Sequence, residues 1–215
     1  MKKLILIACV LGGFQTAFAQ DYYQDDPQPR VGRDAAAKYF QRGPTQDNNP
    51  TSSIRGASDH YLALSFSRYM NSAAYEWGGS GREDDVGGNA FGVTYRVGEW
   101  YNSMDLTVRI EYQEFDAAGE KPTKLSLMPL VTFPDASSRF PLYFGVGGGL
   151  GIFFKQIEDE SPISFDYQLV AGARFFNVFE NTGFFVEAGL KNHLLLLSSG
   201  QLNGTFLALG AVFTF

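Results

Sequence analysis

The sequence is poor in cysteine, in long apolar runs and in clustered basic residues. Its one cysteine, Cys9, follows too short an apolar segment for a lipoprotein cleavage site, and no disulfide can stabilise the rest of the chain. No 18-residue apolar stretch occurs, which excludes membrane-spanning helices, and no basic patch suggests a nucleic-acid partner. The 215 residues do include 24 Gly, 20 Phe and 11 Tyr, a composition typical of β-structure with aromatic belts.

The N-terminus has the three parts of a secretory signal peptide. Lys2 and Lys3 supply positive charge, residues 4–14 are apolar, and Ala17-Phe18-Ala19 is a small-x-small cleavage site. We therefore predict a signal peptide over residues 1–19. Its removal takes away Lys2 and Lys3 and leaves 15 basic against 23 acidic residues, a net charge of −8.

A polar segment follows the predicted cleavage site. Residues 20–58 are rich in Gln, Asp, Asn and Pro and show no apolar periodicity, so we predict a flexible N-terminal arm there. Beyond it, residues 59–215 are predicted to form a single β-domain.

From His60 onward, apolar side chains recur at every second position, which places them on one face of a strand. One clear run is Phe91, Val93, Tyr95 and Val97, and the next is Met104, Leu106, Val108, Ile110 and Tyr112. A turn at Asn102-Ser103 joins the two runs into a hairpin. We count eight such runs of about 11–14 residues, the length that a tilted membrane-spanning strand requires.

A soluble β-barrel and a membrane-spanning β-barrel both show this alternation, so the residues on the opposite face of the strands decide between the two classes. That face carries few charges and many glycines: Gly145, Gly147, Gly149, Gly151, Gly172, Gly189 and Gly210. The interior of an eight-stranded barrel is only wide enough for side chains to fill, and small residues suit it. The pattern favours an all-β, eight-stranded antiparallel up-and-down transmembrane barrel.

The signal peptide, the eight runs over residues 60–215 and the final Phe213-Thr214-Phe215 together resemble the small eight-stranded outer-membrane proteins of the OmpA/OmpX type. The resemblance implies a Gram-negative outer membrane and makes Phe213 and Phe215 an assembly signal for the barrel-assembly machinery. It also implies a monomer with outer-membrane lipid and lipopolysaccharide as partners and no cofactor. An even strand number puts both chain ends, and the arm 20–58, in the periplasm.

The inward face carries charges of both signs, and these form the main candidate site. They are Arg96, Asp105, Arg109, Glu111, Asp166, Arg174, Glu187 and Lys191. Buried charges need partners of opposite sign or water. We interpret the set as a salt-bridged plug, with an ion path as the alternative.

Three further features of the sequence are candidate sites. Small-barrel lipid A deacylases pair a histidine with a serine two positions on, but Leu195 follows His193 at that spacing, which argues against a catalytic site. Pro129 cannot donate a ladder hydrogen bond, so it marks either a lateral opening or a bulge. The acidic external loops lack the ligand spacing of a calcium site, which predicts no bound metal.

Alternation predicts the outward position of Arg68, and the clustering of aromatics near the strand ends predicts the two girdles. Arg68 is placed outward near the external rim, where it contacts a lipopolysaccharide phosphate or snorkels to the interface. Tyr69 and Trp77 are assigned to the outer aromatic girdle, and Trp100 and Phe215 to the periplasmic one. We predict a non-enzymatic barrel with a structural or surface-interaction role. The alternatives are a narrow channel for ions or small apolar solutes and a lipid-modifying enzyme.

Overall fold

The computed structural model describes residues 60–79 and 81–215, and most of them lie in strands. The predicted signal peptide and arm lie outside these residues. The nine strands are β1 (Tyr61–Tyr75), β2 (Arg82–Asp84), β3 (Gly87–Tyr101), β4 (Met104–Phe115), β5 (Thr123–Phe133), β6 (Leu142–Lys155), β7 (Ile163–Phe179), β8 (Thr182–Leu195) and β9 (Gln201–Thr214). In this part of the chain no helix is long and apolar enough to cross a membrane.

The strands close into a barrel. β1 pairs antiparallel with β3, each strand from β3 to β9 pairs antiparallel with the next, and β9 pairs back onto β1 along a ladder from Tyr61↔Thr214 to Tyr75↔Gln201. Short β2 pairs only with the tip of β1, so eight strands make the wall. The predicted eight-stranded antiparallel up-and-down barrel is therefore confirmed.

The two ends of the barrel differ in their connections. At one end, which we call the base, His60 and Phe215 lie on the side of the two-residue turns 102–103 and 180–181 and of the longer connection 134–141 between β5 and β6. At the other end, the rim, the connections are residues 76–86, 116–122, 156–162 and 196–200. The first rim connection begins only at residue 76, because β1 continues to Tyr75.

The outer wall is apolar, as the alternation predicts. Along β6, for example, Phe144 is 61% and Phe154 69% exposed. The residues that directly precede them, Tyr143 and Phe153, are only 3% and 6% exposed. Such large exposed apolar surface is stable only against lipid or a partner, since water would leave it unpaired. The belt includes Leu64, Phe66, Phe91, Val93, Ile110, Leu127, Phe144, Leu150, Leu169, Leu190, Leu209 and Phe213.

Inward glycines allow neighbouring strands and side chains to approach closely. A Cβ on Gly149 would lie 2.0 Å from the Leu127 carbonyl oxygen, and a Cβ on Gly210 would lie 2.6 Å from the Phe185 ring. Real Cβ atoms do not come so close to other atoms. The glycine-rich interior face thus makes room for large neighbours in a narrow lumen.

Two aromatic assignments from the sequence are wrong. Tyr69 is 7% and Trp77 5% exposed, and both belong to the interior cluster at the rim. Tyr69 shares its strand face with Tyr61 and Ser67, which also point inward. Trp77 lies beyond the end of β1, where strand alternation no longer applies, and it folds back over the lumen.

Candidate functional site

Two ion pairs cross the barrel interior from wall to wall. Arg109 and Glu111 stand on β4, whereas Glu187 and Lys191 stand on β8, four strands away on the opposite side of the eight-membered ring. Arg109 binds Glu187 with both ends of its guanidinium, at 2.7 and 2.9 Å, and Glu111 pairs with Lys191. All four side chains are buried. The lumen is therefore filled at this level by its own charged groups.

Other polar side chains form hydrogen bonds with the charged groups of these two ion pairs. Tyr143 donates to Glu187 at 2.7 Å and Arg109 donates to Thr94 at 3.0 Å. Glu111 accepts hydrogen bonds from Ser67 at 3.2 Å and Gln113 at 3.1 Å. A buried pair offsets its desolvation only when such additional hydrogen bonds are made.

A second cluster, the Asp166 cluster, lies toward the rim. Its members are Tyr69, Lys124, Ser126, Ser164, Asp166 and His193. Lys124 Nζ lies 2.9 Å from both Asp166 carboxylate oxygens, and His193 Nδ1 lies 2.9 Å from Oδ1. His193 Nε2 lies 2.6 Å from the hydroxyl of Tyr69. Ser126 and Ser164 both donate to Asp166. Both oxygens of the Asp166 carboxylate therefore have polar partners inside the protein.

A third cluster closes the base. Arg96 Nη2 lies 2.6 Å from Asp105 Oδ1, and the amide of Ala136 donates to Asp105 Oδ2 at 2.7 Å. Arg174 donates to the Tyr61 hydroxyl and to the Pro134 carbonyl, each at 2.9 Å. Asp105 and Arg174 thus hold the turn between β5 and β6 beneath the lumen.

Aromatic side chains close the rim. The Trp77 ring meets the Phe115 and Phe153 rings edge-on, with centroids 5.3 and 5.7 Å apart, and the ammonium of Lys124 lies 5.5 and 5.4 Å from the same two phenylalanines. The Trp77 indole also donates to Gln156 at 3.1 Å. This rim cap separates the Asp166 cluster from the outside.

The space left between these layers is small. A cavity of about 20 Å³ lies between the Arg109–Glu187 pair and the base, and it is lined by both of those residues together with Thr107, Thr132 and Tyr143. That volume holds about one water molecule.

All eight charges selected from the sequence lie in the interior with their side chains buried. The structure brings them together with two charged residues that were not selected, Lys124 and Asp135, which are also buried. Across the described part of the chain, the buried charged side chains are five basic and five acidic. Lys124 alternates with outward Leu125, so the period-two pattern already indicated its inward position; Asp135 lies in a turn, where no such pattern exists.

The geometry around His193 does not resemble an exposed catalytic site. The ring is 3% exposed, it lies under the rim cap, and Leu195, two positions on, is also directed inward. Ser198, the nearest hydroxyl beyond it, accepts a hydrogen bond from the Ser161 amide at 3.2 Å. His193 acts here as a member of the Asp166 cluster.

Pro129 lies on the outer wall, on β5. The ladder to β6 pairs Leu127 with Leu150 on one side of it and Leu130 with Gly147 on the other, in unchanged register. Pro129 faces Val108 on β4. The ladder to β6 therefore lacks the two pairs at Met128 and Pro129, but the strands keep the same register on both sides of this gap.

The rim is acidic, and several of its carboxylates bind neighbouring loops. Glu160 accepts from the Gly78 amide at 2.8 Å and Glu83 accepts from the Ala118 amide at 2.9 Å, while Asp84 pairs with Arg82. The first two contacts tie the first rim connection to the third and to the second, and the Arg82–Asp84 pair lies within the first. Within residues 60–79 and 81–215, no group of three or more His, Cys, Asp or Glu side chains is arranged to hold a metal ion.

At the base, Phe213 and Phe215 both point outward, 38% and 64% exposed. The Phe215 ring stacks with His60 and Tyr95 at centroid distances of 6.4 and 6.5 Å. Together with Trp100, which is 55% exposed, they line the lower edge of the apolar belt.

No model of a known protein family matches this chain, and no curated protein matches it. Solved structures do match. The outer membrane enzyme PagL aligns over 69% of this chain and 97% of its own, with 17% identity and a TM-score of 0.50. Neisserial surface protein A (NspA) aligns over 75% and 100%, with 14% identity and a TM-score of 0.46. The N-terminal β-barrel domain of Pseudomonas aeruginosa OprF aligns over 74% and 99%, with 16% identity and a TM-score of 0.42. At 17% identity the likeness to PagL is a likeness of fold.

Proposed function

We propose that this chain is a non-enzymatic integral outer-membrane barrel with a side-chain-filled lumen, which serves the integrity of the envelope or presents its rim to surface partners. The observation that carries the proposal is the pair of ion pairs that cross the lumen, Arg109–Glu187 and Lys191–Glu111. The aromatic rim cap and the turn between β5 and β6 add side chains at the two ends, and the cavity between the Arg109–Glu187 pair and the base holds about one water.

The apolar outer wall supports an outer-membrane setting, and the proposal assigns each part of the chain a role in it. Residues 1–19 serve as a signal peptide, residues 20–58 as a periplasmic arm and residues 59–215 as the barrel. The apolar belt faces lipid, with lipopolysaccharide in the outer leaflet, and the acidic rim faces the exterior. Phe213 and Phe215 serve as the signal for the barrel-assembly machinery, and the finished barrel is a monomer.

Membrane fractionation and gel migration test this setting. We expect the full-length protein to fractionate with the outer membrane of a Gram-negative host and to migrate faster in an unheated sample than in a boiled one. Recovery in the soluble periplasmic fraction, with identical migration before and after boiling, would contradict the membrane proposal.

Conductance in planar lipid bilayers tests the filled lumen against the ion-channel alternative. We expect no steady openings from the wild-type barrel, because the crossing pairs exclude a continuous water column. Steady openings that disappear or change selectivity in Glu187→Gln would instead identify the lumen as an ion path. Heat-modifiable migration of the same preparations verifies that each variant is folded.

The enzymatic alternative draws support only from the fold, because PagL is an outer membrane enzyme. The buried His193 and the inward Leu195 are observations against an equivalent role here. Mass spectrometry of lipid A from cells with and without the protein separates the two possibilities. An unchanged acylation pattern is expected, and a missing or added acyl chain would overturn the non-enzymatic assignment.

The apolar-solute alternative requires the barrel to open beside Pro129. The unchanged register of β5 and β6 around Pro129 is an observation against a standing opening. A Pro129→Val variant restores the missing ladder donor. Uptake of a small apolar dye by cells expressing wild type, compared with cells expressing this variant, tests the alternative, and equal uptake is expected.

A further inference from the structure

An unusual polar patch interrupts the apolar outer wall below the first rim connection. Five side chains on adjacent strands β3, β1 and β9 point outward there, and we call them the Arg68 patch: Arg68, Asn71, Asn89, Asn203 and Thr205. The ladders place Asn89 directly beside Arg68 and Thr205 directly beside Asn71. The patch is therefore made of two polar pairs on neighbouring strands and Asn203, with the exposed apolar side chains of Met70 and Leu207 beside Arg68.

Arg68 has no partner within the described part of the protein. No ion pair or hydrogen bond joins its guanidinium to another residue of the ranges 60–79 and 81–215, although the rim above it is rich in carboxylates. This contrasts with the arginines of the lumen, which bind carboxylates or hydroxyls. A guanidinium at the edge of a lipid-facing wall is stabilised by an anionic partner, and no residue of the ranges 60–79 and 81–215 supplies one to Arg68.

The position of the patch defines the kind of anion. Immediately toward the base, the Phe66 and Phe91 rings pack on each other at 5.2 Å and are 39% and 58% exposed, so they belong to the apolar belt. A molecule that binds Arg68 from the membrane side must therefore offer an anionic group next to hydrocarbon chains. That is the chemistry of a lipid headgroup.

The flanking side chains narrow the choice of lipid. Asn71, Asn89 and Asn203 present amides, which both donate and accept, and Thr205 presents a hydroxyl. These groups match the hydroxyls of a sugar, whereas the fork of Arg68 matches a phosphate in a bidentate geometry. We propose that the Arg68 patch binds the phosphorylated sugar headgroup of lipid A, with the acyl chains against Phe66 and Phe91.

This inference rests on the proposed outer-membrane setting with the rim outward. Native mass spectrometry of the full-length protein in detergent tests it directly, with bisphosphorylated lipid A, monophosphorylated lipid A and phosphatidylglycerol as separate probes. We expect the wild type to retain bisphosphorylated lipid A, and Arg68→Gln to lower its affinity about tenfold, as loss of a charge-assisted hydrogen bond predicts. Asn89→Ala should lower the affinity for lipid A but not that for phosphatidylglycerol.

Arg139→Gln is the matched control, because Arg139 is an exposed arginine in the base turn, away from the patch. It should leave lipid A retention unchanged. Equal retention by wild type and Arg68→Gln would overturn the inference, as would equal affinity for phosphatidylglycerol and lipid A. Because fractionation reports separately on the membrane setting, an outer-membrane barrel that fails this test would contradict the lipid site alone.

Discussion

The Arg109–Glu187 pair gives the sharpest prediction, since its energy depends on whether the lumen is dry. Its atoms are 2.7 and 2.9 Å apart. At that separation the attraction is about 1.5 kcal/mol in bulk water but about 6 kcal/mol at an effective dielectric constant of 20. Removing one partner, as in Glu187→Leu, should lower the free energy of unfolding by about 3–5 kcal/mol because an uncompensated buried charge remains.

The double variant separates the pair from its surroundings. In Arg109→Met/Glu187→Leu no unpaired charge is left, and the loss should be only about 1–2 kcal/mol, since Tyr143 and Thr94 lose hydrogen-bond partners. If each single variant loses about 3 kcal/mol or more of unfolding free energy and the double variant loses only about 1–2 kcal/mol, the coupling energy between Arg109 and Glu187 is about 4 kcal/mol or more.

Urea unfolding of the refolded barrel in phospholipid vesicles, followed by tryptophan fluorescence, measures these values. The control is the Arg82–Asp84 pair at the rim, which has the same 2.7 Å contact but side chains 57% and 60% exposed. Asp84→Asn should change stability by less than about 1 kcal/mol. A similarly small loss in Glu187→Leu would mean that water screens the lumen, and the filled-lumen argument would then be wrong.

Three more expectations follow from contacts in other parts of the barrel. Brominated lipids should quench the fluorescence of Trp100, which is 55% exposed on the outer wall. They should leave the fluorescence of Trp77, which is 5% exposed, unchanged. Quenching of the remaining fluorescence in a Trp100→Phe variant would contradict the interior position of Trp77. Gly149→Ala should lower the free energy of unfolding by about 3 kcal/mol in the same urea assay, because the new Cβ would lie 2.0 Å from a carbonyl oxygen on β5. Gly148→Ala should change the free energy of unfolding little, because the nearest atom to its Cβ lies at 3.5 Å. Asp105→Asn should accelerate hydrogen exchange of the amide that it binds in the turn after β5, and unchanged protection there would refute its role in closing the base.

The fold was readable from the sequence because a strand has a period of two and the barrel has only two environments. The alternation placed Leu106 and Ile110 on the outer wall and Arg109 inside, and the structure has them so. The same pattern, followed strictly, also indicated Lys124 and Tyr69 as inward residues. The error at Tyr69 came from giving an aromatic near the rim a girdle role against its own strand face.

Side-chain partners could not be predicted in this way. Arg109 and Glu187 are 78 residues apart, and Tyr69 and His193 are 124 apart. Which inward residues meet depends on the register of every ladder between them, and a shift in one ladder changes all the pairs across the lumen. The sequence showed that charges of both signs face inward, but not that they meet across the full width of the barrel.

The side chains that close the two ends of the barrel were even harder to predict from the sequence. Trp77, Ala136 and Asp135 lie outside the strands, where no periodicity tells which way a side chain points. Local alternation thus determined the wall of this protein, because each strand residue must face either the apolar exterior or the narrow lumen. Closure of the eight strands decided the pairing of the charges and the two caps, because only the completed ring brings those residues within contact distance.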